Sequence, residues 1–178
     1  MTERYLVLPR GINVGPHNRV PMAQLRSKLE DAGYSAVATV LASGNVIVSA
    51  ESDRPAEVGD AIRRLLSDEF DVNVACVART ARQVQGVLDR NPLREVVSNP
   101  SRYLVNFLSE APDPEVVGAL LAEDHSPEAI VIEGTEAYVW TPDGAKAMTL
   151  SYAYLERRLG VVATARNWNT IKKIAAKF

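Results

Sequence analysis

The sequence contains one cysteine, Cys76, and two histidines, His17 and His125. A lone cysteine forms no internal disulfide, which fits a reducing cytoplasm. Neither histidine stands in a metal-ligand spacing, so no metal site is expected. Cys76 lies within VNVACVA, where it reads as a small buried apolar residue, and no base partner for a nucleophile is identifiable. The longest apolar helical stretch, VVGALLA, falls far short of the roughly 20 residues that cross a bilayer. Both signs of charge occur by position 4, so no secretory leader is expected. P-loop, GxGxxG, nucleophile-elbow and HExxH patterns are all missing. The carboxylates of EVGDAIRRLLSDEF read as the wet face of a helix. No cofactor is therefore expected, and an enzyme is the weakest functional reading.

What is present is ordinary for a globular protein: 178 residues, 47% hydrophobic and 24% charged. A chain of this length buries roughly 70% of its unfolded surface and needs no staples. The net charge of −2 hides an asymmetry. Residues 145–178 carry seven basic side chains and one acid, whereas the remainder carries 13 basic and 21 acidic. A basic tail can serve an anionic partner or neutralise the acidic body.

Hydrophobic periodicity sets the organisation. RYLVLP, Arg4–Pro9, is apolar on both faces and predicts a central strand. Pro21 opens a helix through Met22, Leu25, Leu29 and Ala32, which Gly33 ends. AVATVLA and VIVSA form two strands around SGN, Asp53–Phe70 is a second helix, and VNVACVA is a fourth strand. This βαββαβ order is that of the ferredoxin-like plait. Residues 80–101 form a linking helix, Thr80–Arg90, and a loop. The pattern then recurs: RYLVNFL, a helix Asp113–Glu123, a hairpin turning at Gly134-Thr135, a helix Met148–Leu159, and VVAT as a short last strand. RNWNTIKKIAAKF closes as an amphipathic helix. The expected fold is α+β, with two ferredoxin-like βαββαβ modules in tandem over 1–79 and 102–178.

That topology has strand order 4-1-3-2 and brings the loop RGINVGPHN beside ASGN and the start of the fourth strand. Arg10, Asn13, Ser43 and Asn45 then converge on one polar rim. A backbone phosphate nest fits poorly there, because Pro16 removes a donor and the helix begins only at Pro21. Tyr103 with Phe107, and Tyr138 with Trp140, share strand faces, as base-stacking platforms do and as cores also do. In the tail, Thr164 or Asn167 caps the last helix. Arg166 and Asn169 have no role that periodicity explains, and they join the candidate ligand-binding set.

At RGINVGPHNRVPMAQLRSKLEDAGY, ASGNVIVSA and ERRLGVVATARNWNTIKKIA the chain resembles a bacterial family, domain of unknown function 1697. The resemblance implies a plait-related fold, a cytoplasmic bacterial protein, no established activity and no assigned catalytic residues. The leading expectation is a non-catalytic module that binds a small anionic ligand or a protein partner at the rim. Nucleic-acid binding through the basic tail is the alternative, and no membrane contact is expected.

Overall fold

A computed structural model describes residues 2–178. The fold is mixed α+β, with two four-stranded antiparallel sheets and six α-helices among the described residues. The chain divides into two compact units: Met1–Gly86 with Lys173–Phe178, and Val87–Lys172.

The first unit runs β1 (Glu3–Pro9), α1 (Met22–Asp31), β2 (Ser35–Val40), β3 (Asn45–Ala50), α2 (Pro55–Phe70) and β4 (Cys76–Thr80), and continues into α3 (Ala81–Arg90). Its sheet order is β2-β3-β1-β4. Both β1 and β2 pair antiparallel with β3, so they run parallel to each other and finish at the same edge. Tyr5, Val7, Val46, Val48 and Ala78 form one face of the sheet. Against it pack Leu25 and Leu29 of α1 and Val58, Ile62 and Leu66 of α2, all buried. The chain end is fastened to β1, where Arg4 Nη1 donates to Phe178 O at 2.5 Å with its guanidinium over the Phe178 ring.

The second unit contains β5 (Tyr103–Leu108), α4 (Pro114–Leu121), β6 (Ala129–Glu133), β7 (Glu136–Trp140), α5 (Tyr152–Leu159) and β8 (Ala163–Asn167), followed by α6 (Trp168–Ala175). Its order is β6-β7-β5-β8. Leu108, Ala137, Val139 and Ala163 pack against Leu120 of α4 and Leu155 and Leu159 of α5.

Local chemistry places the boundaries. The expected helix over Met148–Leu159 starts only at Tyr152, because the Ser151 side chain accepts from Tyr154 N at 3.2 Å and caps the first turn. Pro21 is the residue before α1, not its first residue. The last strand lies at Ala163–Asn167, two residues beyond the start of VVAT, because residues 163–167 pair with β5. Both β4 and β8 run directly into a helix. Thr80 exchanges bonds with Gln83 in a reciprocal cap, and Asn167 Oδ1 accepts from Thr170 N at 2.9 Å.

Candidate functional site: a cationic rim in the first unit

The twelve-residue connection from β1 to α1 and the four-residue turn from β2 to β3 meet at one sheet edge. Asn13 joins them. Its Nδ2 donates to Val20 O at 2.9 Å and to Ala42 O at 2.7 Å, and its Oδ1 accepts from Val20 N at 2.8 Å. Asn13 N also donates to Asn18 O across the loop. One amide thus closes the loop on itself and fastens it to the neighbouring turn. Asn13 adopts a left-handed φ of 55°, a conformation that asparagine tolerates better than most residues.

Ile12 is the apolar counterpart of that tie. It is buried, and its side chain lies over Gly44 so closely that a Cβ there would stand 2.3 Å from Ile12 Cδ1. Gly44 also has φ +76°, so both space and backbone require glycine. Asn45 is fully buried, with Nδ2 donating to Val40 O at 2.8 Å and to Ser43 Oγ at 3.1 Å. Arg10 is half-buried, and its backbone N–H donates to Ala75 O at 2.8 Å, which joins the loop to the residue before β4. The structure thus gathers Arg10, Asn13, Ser43 and Asn45 at one edge. Asn13 and Asn45 commit their amides to the backbone and the turn, so they build the rim.

Apart from Asn13, the accessible part is formed by residues outside the candidate ligand-binding set. A cleft of about 310 Å³ is lined by Asn13, Arg19, Val20, Pro21, Met22 and Ala42. Val14 and Leu41 stand exposed at 69% and 48% on the two loop tips. Leu41 has φ +61° and Asn18 φ +52°. Left-handed backbone at several side-chain-bearing residues stores strain, which concentrates at functional sites. The two connections themselves carry a composition signal: residues 10–21 include Arg10 and Arg19 and no carboxylate, and residues 41–44 carry no charge.

Arg166 and Asn169 belong to the second unit. Arg166 lies in β8, where Nη1 donates to Thr164 Oγ1 at 2.9 Å and to Ala165 O at 2.8 Å. Burial pushes its pKa down to about 10. Asn169 sits, half-buried, in the first turn of α6.

Other expectations meet plain geometry. Tyr103, Phe107 and Tyr138 are at most 1% exposed and Trp140 is 8% exposed, so these aromatics present no open stacking platform. Trp168 stacks on Tyr103 with ring centroids 4.8 Å apart, and the Tyr138 hydroxyl accepts from Arg90 Nε at 3.1 Å. Arg90 Nη2 also donates to the buried Glu136 at 2.8 Å. Burial raises the Cys76 thiol to about 12, so it is no thiolate nucleophile at neutral pH. Among the described residues no group of His, Cys, Asp and Glu is arranged to hold a metal ion, and no helix is long and apolar enough to cross a membrane.

Fold and rim together define a two-sheet α+β protein with one elaborated, cationic loop edge. The chain belongs to the family of proteins of unknown function DUF1697, whose sequence profile matches residues 1–138. Its fold is similar to the solved structure of a conserved bacterial protein from Streptococcus pneumoniae. That match has TM-score 0.75 and 22% identity, over 99% of each chain. No curated protein matches the chain significantly.

Proposed function

We propose that the protein is a non-catalytic binding module and that its rim takes a small anionic ligand. We read each unit as a ferredoxin-like βαββαβ plait, a reading supported by the matching strand orders. The observation that carries the proposal is the cleft itself. It is walled by Arg19 and Met22, held open by the Asn13 clamp, and set in a stretch without carboxylates. The loop backbone is already fixed by Asn13, so binding orders only the Arg19 side chain, and no carboxylate lines the cleft to oppose an anion. The protein acts in the cytoplasm on this reading. The rim holds no general base apart from His17, which supports binding over catalysis.

The test is a thermal-shift series with inorganic phosphate, pyrophosphate, adenosine monophosphate and citrate at low salt. At least one anion raises Tm in the parent, and Arg19→Ala loses that rise while melting like the parent without ligand. If no anion shifts the parent, the rim is not an anion site. A parallel titration with single-stranded RNA and DNA separates this reading from nucleic-acid binding by the basic tail, which predicts steep salt dependence at a surface that Arg19→Ala leaves intact.

A further inference from the structure

We infer that β6 of the second unit is a self-pairing edge, which joins two copies of this chain about a two-fold axis at Val131. The hydrogen-bond register shows that the edge is open. Thr141 N donates to Arg102 O and Leu108 N to Thr135 O, so odd-numbered residues of the β7 strand and its flanks direct their backbone groups toward β5. Even-numbered Glu136, Tyr138 and Trp140 therefore bond to Glu133, Val131 and Ala129 of β6. The N–H and C=O groups of Ile130 and Ile132 are left pointing outward, and no turn, loop or side-chain hydrogen bond among the described residues meets them.

The other three edges carry devices that discourage pairing. The register of β2 shifts between Ser35 and Ala38, and Ala36 has φ +49°. Arg79 lies within β4 and Arg166 within β8. The AIVIE strand has a regular register and no proline or lysine, and its single charge, Glu133, sits at the turn end.

The occupant follows from the pattern. Antiparallel pairing centred on Val131 sets Ile130 opposite Ile132, Val131 opposite Val131, and Ala129 opposite Glu133. No like charges face each other, and all outward groups of Ile130 and Ile132 are paired, giving four backbone hydrogen bonds. An edge alone buries less than the roughly 1,200 Å² of a stable interface. α4 packs on β6 and exposes Val116 at 37% and Leu121 at 41% on opposite flanks, about 140° apart around the helix, so at most one of them borders this edge. Glu123, just beyond α4, is already paired with Arg158 at 2.5 Å.

Sedimentation velocity across a hundredfold concentration range, at low and high salt, tests the inference. The parent chain dimerises, and high salt does not dissociate it. Val131→Lys and Val131→Glu, each placing like charges face to face across the axis, are both monomeric. Mixing the two variants in equal amounts restores a dimer, which a merely misfolded pair does not do. Hydrogen exchange on the parent gives an independent reading, with Ile130 and Ile132 amides gaining protection as concentration rises. A parent that stays monomeric with both amides exchanging freely overturns the inference and leaves the edge to another partner. Dimers that persist in either single variant, or a mixture that stays monomeric, overturn the placement of the axis.

Discussion

The two units repeat one element order and one strand order, yet they elaborate opposite ends of their sheets. In the first unit, residues 10–21 connect β1 to α1, whereas residues 109–113 suffice between β5 and α4. Residues 41–44 turn β2 into β3, whereas Gly134-Thr135 alone turn β6 into β7. At the other end the relation reverses, because residues 51–54 connect β3 to α2 and residues 141–151 connect β7 to α5. The scaffold is therefore common, and the rim exists only where both long connections leave the same edge. A site of this kind is a property of paired loops held by a rigid sheet.

The largest expected effect attacks that pairing. Gly44→Val places a branched side chain against Ile12 and forces it into left-handed backbone. We expect about 3 kcal/mol of lost stability from strain and overpacking, measured by urea denaturation. The glycine of the short turn in the second unit offers a contrast. Nothing lies within 4 Å of a Cβ at Gly134, so Gly134→Ala meets only the φ penalty of about 1 kcal/mol.

Asn13→Ala comes next. It removes three side-chain hydrogen bonds from partly exposed groups, and about 2 kcal/mol is expected. The discriminating result is local. Amide exchange rises across residues 10–21 and 41–44 while β5–β8 amides keep their protection. Uniform loss of protection would show that the clamp supports the whole chain and not the rim alone.

A smaller effect of opposite sign sharpens the comparison on helices. Gly118 lies inside α4 with nothing within 4 Å of its missing Cβ, so Gly118→Ala stabilises by about 0.5–1 kcal/mol. Gly59 lies inside α2 with Cys76 O only 2.9 Å from the Cβ position, so Gly59→Ala destabilises despite better helix propensity. Thermal melts of the two variants should move in opposite directions.

The smallest effect is pH-dependent. Arg158 hydrogen-bonds Glu123 and holds its carboxyl below the ordinary value of 4.5. A carboxyl with a depressed folded-state pKa contributes stability above its unfolded pKa, and that contribution is lost as pH falls through the folded value. The Tm gap between the parent and Arg158→Met should therefore be present at pH 6 and close on acidification. A gap that stays constant to pH 2.5 would mean that Arg158 acts only through its packing on Tyr154.

Much of this was legible in the chain. Alternation and helical spacing fixed the order of strands and helices, because burying one face demands that pattern whatever lies opposite. The turn glycines and the convergence of RGINVG with ASGN followed from topology. Helix ends were less legible, since a cap such as Ser151 is decided by one hydrogen bond. Within the site, sequence could name Asn13 and Asn45 but could not tell ligand donors from braces, because that depends on which carbonyls lie within 3 Å. Arg19, Met22 and Leu41 gave no motif, and they form the rim only because two segments about 20 residues apart meet. The sequence by itself determined the alternation of elements, the glycines at left-handed turns and the charge of the loop. Only the tertiary structure decided which polar groups are consumed inside the rim, which cations face the cleft, and that the AIVIE edge stays open, because hydrogen-bond partnership between distant segments is a matter of position and not of residue type.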